Sequence, residues 1–280
     1  MRTPITYYGG KQRLAPGIIA MMPRHKIYCE PFFGGGAVFF AKPKAGIEVI
    51  NDHDGRLMNF YWCVQSRFDE LSEMVRQTLH SEAMYRYAKD VWNGRVIEAS
   101  DAEKAWAVWL ITNGSFAGSM HGGWKWCNGS SGGHTGTFIK GKRSDFSEPL
   151  HLRLDDVQIS CRDALKVIAY RDTPDTFFYL DPPYPNCYQG HYGGYTEEDL
   201  KKLLVKLCDL KGKFILSNYW CDTLRMYVKE MGWNYKEVEL SMRLTNLGRG
   251  CRPERGIQKR TEVMVYNYDI EPSLFKNEEL

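Results

Sequence analysis

No Cys-x-x-Cys pair occurs in this chain, and its eight cysteines are scattered, several of them inside apolar runs. That speaks against a zinc ribbon and a disulfide framework, and it suits reduced thiols in a cytoplasm. The seven histidines show no ligand spacing either, so no metal is expected. No apolar stretch approaches the roughly 18 residues needed to span a bilayer. Met1-Arg2-Thr3-Pro4 does not begin a secretory signal, so a cytoplasmic location is expected. The dinucleotide fingerprint G-x-G-x-x-G and the phosphate loop ending in Gly-Lys-Ser/Thr are both missing. A net charge of +3 is too small to announce a nucleic-acid binder by itself. What remains is an ordinary globular composition, 280 residues with a 43% hydrophobic and 25% charged share.

Against those absences one tetrapeptide stands out, Asp181-Pro182-Pro183-Tyr184, directly after the apolar run Phe177-Phe178-Tyr179-Leu180. The run reads as a buried strand. A carboxylate, two prolines and an aromatic ring at its end make a rigid platform with a polar tip. Neither proline has an N–H, which leaves the local carbonyls free to accept from a ligand. An exocyclic amino group on a flat ring suits such a site: carboxylate and carbonyl accept its two hydrogens while the tyrosine stacks. Asp-Pro and Pro-Pro are also common turn punctuation, so the tetrapeptide alone does not decide.

Two further strand ends support the chemical reading. Tyr28-Cys29-Glu30-Pro31-Phe32-Phe33 runs into Gly34-Gly35-Gly36 and then an apolar stretch able to start a helix. Glycines at such a turn let the backbone approach a ligand closely. Ile47 to Asn51 forms another strand, followed by Asp52, about 20 residues after the glycine loop begins. In a nucleotide-binding sheet an acid there holds ribose hydroxyls; a local capping role is compatible with that.

Together these segments resemble the Dam-like family of DNA adenine-N6 methyltransferases, over nearly the whole chain. Tyr7-Tyr8-Gly9-Gly10-Lys11 resembles the family's N-terminal cofactor segment, and Glu30-Pro31-Phe32-Phe33-Gly34-Gly35-Gly36 its S-adenosylmethionine loop. Asp52 falls on its ribose-binding acid, and Cys161-Arg162-Asp163-Ala164 on the segment that meets the cofactor's adenine. Asp181, Pro182, Pro183 and Tyr184 match its catalytic tetrapeptide, with Asp181 also next to the cofactor. The order of cofactor loop, recognition insert and catalytic motif is that of the family's alpha arrangement, in bacterial or phage members. The resemblance implies methyl transfer from S-adenosylmethionine to N6 of an adenine flipped out of duplex DNA, by a monomer or weak dimer. A restriction endonuclease acting separately would be its companion.

Strand signals at seven places, with helical stretches between most of them, predict an α/β, Rossmann-like, mainly parallel seven-stranded sheet. The last two, Tyr235–Leu240 and Glu262–Tyr268, are joined by a loop, which predicts a reversed hairpin at one edge. The expected division is a catalytic part over 1–59, a helical target-recognition insert over 60–156, and a second catalytic part over 157–280. Within the insert, aromatics, glycines and cations suit contacts to bases, and Asn113, Phe116, His121, Trp124 and Lys125 are the candidates. Trp124 and Trp126 could equally serve as buried anchors. Lys140, with Lys142 and Arg143, forms a small basic cluster, and Arg249, Arg252 and Arg255 lie in a glycine-rich basic loop suited to a phosphate backbone.

The chain departs from the family in one place. Members that methylate GATC carry an Asn-Arg pair, an aromatic-Asn-Gly, and an Arg three residues on. Here the residues are Thr112-Asn113, Phe116-Ala117-Gly118 and His121. Histidine cannot reproduce arginine's bidentate fork on guanine, so GATC is not the expected site. Cytosine-C5 methylation needs a cysteine nucleophile, usually in a Pro-Cys pair, and none occurs. Cytosine-N4 methylation, an RNA adenine-N6 methyltransferase, and a nucleic-acid binding protein with a vestigial cofactor pocket are the alternatives.

Overall fold

The computed structural model describes residues 1–7, 9–127, 135–185, 194–242 and 258–270. Its centre is a seven-stranded sheet. In chain order the strands are β1 (Ile27–Glu30), β2 (Ile47–Asn51), β3 (Gln158–Ser160), β4 (Thr176–Leu180), β5 (Lys213–Asn218), β6 (Asn234–Met242) and β7 (Gln258–Tyr266). Their spatial order is β3-β2-β1-β4-β5-β7-β6. The first five run parallel, while β7 lies antiparallel to both β5 and β6. The hairpin expected from the last two strands is thus present, with β7 tucked inside and β6 at the edge.

The central strands are continuous apolar runs because both of their faces are covered. Along β4, Thr176 to Leu180 are all buried. Tyr28, Phe177, Tyr179, Ile215 and Met264 point to one face. Cys29, Val49, Phe178, Leu180, Phe214, Leu216 and Val263 point to the other. Among the described residues three helices cover this second face: α9 (Ala164–Arg171), α10 (Glu197–Cys208) and α11 (Asp222–Met231). α10 opens on a full capping box between Thr196 and Asp199, and buries Leu200, Leu203, Leu204 and Leu207.

The first face is covered by α1 (Ala15–Met21), α2 (Ala37–Ala41), α3 (Gly55–Ser66), α4 (Phe68–Gln77), α5 (Glu82–Trp92), α6 (Asp101–Gly114), α7 (Thr135–Asp145) and α8 (Glu148–Leu154). α6 is buried from Ala105 to Gly114, and apolar all round from Ala105 to Ile111, because α3, α4 and α5 surround it. Ser100 caps it through Glu103 N–H, but the Glu103 side chain takes the Tyr87 hydroxyl instead of closing a box. Leu79 lies past the end of α4 and is exposed. Residue 60, the expected start of the insert, falls inside α3. Phe60, Tyr61 and Val64 of that helix share one apolar cluster with Phe39 of α2 and Trp109 of α6.

The strand order reverses between β1 and β4, which lie side by side. In open α/β sheets the crevice beyond the carboxyl ends at such a point is where ligands bind. Glu30 ends β1, and Asp181 follows β4.

Candidate active site

Asp181 sits just past the carboxyl end of β4, and its carboxylate is crowded. One oxygen, Oδ1, accepts from Lys11 Nζ at 2.9 Å and from the Tyr184 hydroxyl at 3.1 Å. Lys11 also reaches Glu262 Oε1 at 3.2 Å and the Gly9 carbonyl at 3.1 Å. Glu262 Oε1 lies close to the Tyr184 hydroxyl too, so its single hydrogen is shared between the two carboxyls. The Lys11 ammonium stands 5.0 Å from the centre of the Tyr184 ring, and Tyr219 meets that ring edge-on at 4.7 Å.

Burial lowers the pKa of Lys11, but Asp181 and Glu262 more than reverse this, so it stands above the usual lysine value. Burial, then Asp181 and Glu262, hold the Tyr184 hydroxyl well above the usual tyrosine range, so it remains a donor. Burial raises Glu262 against the pull of Lys11. Glu30, 2% exposed and bonded by the Tyr28 hydroxyl at 2.7 Å, is pushed by burial up to about 8. It is therefore mostly protonated at neutral pH.

The glycine loop is organised from behind by polar side chains. The Asp52 carboxylate accepts from Gly34 N–H at 2.8 Å and Asp54 N–H at 3.0 Å, and burial raises its pKa. Tyr61 donates to the Gly34 carbonyl at 2.9 Å. Gly36 takes φ +64° at the start of α2, where a Cβ would lie 2.5 Å from the Phe33 ring. Gly35 packs against Tyr7, and Phe32 against the second-face core. Asn51 ties the loop to the segment after β3. Its amide donates to the Pro31 and Arg162 carbonyls at 2.9 and 3.0 Å, and its Oδ1 accepts Arg162 N–H. Asp163 caps α9 through Lys166 N–H. Gly10 N–H closes a turn onto the Tyr7 carbonyl at 3.1 Å. Tyr8 lies outside the described residues.

Three of the expected residue groups therefore meet at one edge: Lys11 from the N-terminal segment, Glu30 and the glycine loop after β1, and Asp181 to Tyr184 after β4. The Tyr179 hydroxyl lies within the electrostatic reach of Asp181, Glu30 and Glu262 together. Sequence reasoning missed Glu262, Asn51 and Tyr61. The available signal for Glu262 was an acid standing alone beside the apolar run Val263-Met264-Val265. Asn51 offered a similar one, as the polar end of an apolar strand.

Among the DNA-contact candidates, Asn113 needs correction. It is 1% exposed, and its Oδ1 accepts Thr6 N–H at 3.1 Å and the Thr6 hydroxyl at 3.0 Å. Its amide donates to the Pro4 and Trp109 carbonyls at 3.1 and 3.0 Å. With every polar atom engaged inside the protein, this side chain strapping residues 4–6 to α6 has nothing left for a base. Phe116 is 47% exposed, and His121 and Lys140 are exposed. Trp124 is half-buried, its ring 5.0 Å from His80, whereas Trp126 is 56% exposed and no anchor. Lys125 Nζ lies 4.8 Å from the centre of the Phe138 ring. Lys142 turns inward to the Thr3 carbonyl. Arg249, Arg252 and Arg255 lie outside the described residues.

Residues 7–242 match the model of the D12 class N6 adenine-specific DNA methyltransferases. The chain belongs to this family. It is 29% identical over 276 residues to the type II methyltransferase M1.LlaDCHI of Lactococcus lactis subsp. cremoris, with 93% of each chain covered. It is 26% identical over 309 residues to the type II methyltransferase M.MjaIII of Methanocaldococcus jannaschii, covering 94% of this chain and 98% of that one. The DNA N-6-adenine-methyltransferase of Escherichia phage P1 is 25% identical over 257 residues, 85% of this chain and 32% of that one. As a D12-class methyltransferase, the chain takes its methyl group from S-adenosylmethionine and transfers it to adenine N6 in DNA. No helix among the described residues is long and apolar enough to cross a membrane, and no cluster of side chains there could hold a metal ion.

Proposed function

We propose that the Asp181 carboxylate and the Pro182 carbonyl accept the two amino hydrogens of a flipped adenine, with the Tyr184 ring packing on the base. The observation that supports this most is Lys11. An ammonium already rests on Asp181 Oδ1 and over the Tyr184 ring, the two contacts an adenine amino group and its ring would make.

The cofactor's charge suits the residues present. Asp52, Asp181 and Glu262 stand at the carboxyl edge of the sheet, and the Lys11, Asp181 and Glu262 group sets two carboxyls against one ammonium. That surplus favours a ligand with a sulfonium and an ammonium. Gly34 to Gly36, Glu30, Pro31, Phe32, Asp52, Arg162, Asp163 and the Tyr7 to Lys11 segment are the residues proposed to hold it. Bound S-adenosylmethionine supplies an electrophilic methyl group.

The chain's own part is electrostatic. Acceptors on both amino hydrogens draw the nitrogen lone pair out of conjugation with the ring. They also stabilise the positive charge that develops there. The methylated amino cation is acidic enough to release its proton to water, so no strong base is needed. Extrusion of the adenine from duplex DNA comes first, because N6 is inaccessible while stacked and paired. Phe116, His121, Trp124, Lys125 and Lys140 of the 60–156 insert, and Arg249, Arg252 and Arg255, are proposed to contact the DNA. A cytoplasmic location, a monomer or weak dimer, and a separate restriction endonuclease sharing its site complete the proposal, the last supported by the type II designation of its relatives.

The test is mass spectrometry of nucleosides after incubation with labelled S-adenosylmethionine, with duplex DNA and total RNA assayed separately. Label is expected in N6-methyladenine from DNA. Asp181→Ala should lower kcat by about 10³-fold, the scale of losing one oriented charge-stabilising group. Near-normal turnover of that variant would refute the scheme.

A further inference from the structure

The resting arrangement poses a problem for catalysis. Asp181 Oδ1 is occupied twice, by Lys11 Nζ at 2.9 Å and by the Tyr184 hydroxyl at 3.1 Å. The same ammonium stands over the Tyr184 ring. A base that uses Asp181 and that ring must displace the lysine from both. Lys11 is 8% exposed, and a buried ammonium released without a partner is strongly destabilised.

Glu262 resolves this. Its Oε1 already lies 3.2 Å from Lys11 Nζ and already shares the Tyr184 hydroxyl. It is 2% exposed, so taking over either donor requires no further desolvation. Its placement comes from the reversed strand. β7 runs antiparallel beside β5, pairing Val263 with Asn218, so its early residues arrive at the edge where the parallel strands end.

Building on the reading of Asp181 as the amino acceptor, we infer that Glu262 is a positioning residue that receives Lys11 and the Tyr184 hydroxyl when the base displaces them. The exchange keeps the ammonium paired throughout and frees Asp181 Oδ1 for the base. It moves hydrogen bonds and an ion pair only; no covalent bond changes.

Glu262→Gln tests it, because the amide keeps the size and one acceptor but cannot take the charge of Lys11. With Asp181 the one carboxylate left beside Lys11, kcat on duplex DNA should fall at least about tenfold, with KM for S-adenosylmethionine within about threefold of the parent. Glu262→Asp, which restores the charge, should recover most of the loss. The decisive comparison repeats Glu262→Gln in a Lys11→Met background. With no ammonium to receive, the added loss should shrink below about threefold. Equal fold losses in the two backgrounds, or an Asp variant no better than Gln, would overturn the inference. Melting temperature and cofactor binding of each variant separate a folding defect from this outcome. A parent enzyme with no activity on DNA, or an active Asp181→Ala, would instead sink the reading of Asp181 itself.

Discussion

Glu30→Gln separates the charge of this buried acid from its shape. Glu30 closes β1 inside the apolar core, and its carboxyl accepts from the Tyr28 hydroxyl at 2.7 Å. Burial lifts its pKa from 4.5 to about 8. Because the folded state holds this proton more tightly than the unfolded chain, the contribution to stability is complete below about pH 4.5. It is lost progressively up to about pH 8. At about 1.4 kcal/mol per pH unit, the wild type should lose about 3 kcal/mol through this group alone between pH 5.5 and 8.5. Glutamine has the shape of the protonated acid and can still accept from Tyr28. The variant should therefore lack that slope. Urea unfolding of both proteins at pH 5.5, 7 and 8.5 measures it, and the difference between them cancels every other titrating group. Stability gained by the variant should grow with pH by about 3 kcal/mol over that range. A difference that stays flat, or one that shrinks as pH rises, would show that Glu30 is ionised in the folded protein.

Three further substitutions probe the frame around the site. Asn113→Ala removes four hydrogen bonds from a buried position and should cost about 3 kcal/mol in urea unfolding, with the methylated DNA sites unchanged. A variant of normal stability that methylates different sites would restore a base-reading role to Asn113. Gly36→Ala forces a Cβ into the Phe33 ring at φ +64° and should weaken cofactor binding at least about tenfold by calorimetry. Gly9→Ala, at φ +74° with open space around it, should cost only about 1 kcal/mol of stability, read by the same urea unfolding.

Order along the chain made much of the catalytic frame legible. Apolar runs ending at Glu30 and Leu180, and one ending at Asn51 that only Glu48 interrupts, mark buried parallel strands, since a strand covered on both faces is apolar at nearly every position. Glycines 34 to 36 and Asp181 to Tyr184 follow those strands directly, so their place at the carboxyl edge comes with the strand assignment. Local chemistry also set the helix starts, as with Thr196 and Asp199, because a cap needs only a few neighbouring residues.

Other features depend on which distant segments meet. Asn113 looks like a polar residue available to DNA until α6 is seen surrounded by other helices, with Thr6 and Pro4 packed against its end. The tight contact of Gly118, where a Cβ would lie 2.7 Å from the Thr6 carbonyl, belongs to the same junction. Glu262 is 251 positions from Lys11 in the chain, and nothing near either residue announces the other. Their pairing arises because β7 enters the sheet beside β5 in reverse. The sequence by itself determined the parallel strands, the glycine turn and the acid with its two prolines, since each depends on near neighbours and on burial. The pairing of Lys11 with both Asp181 and Glu262 was decided only by tertiary structure, because buried charges take their partners from the strands and loops that pack beside them.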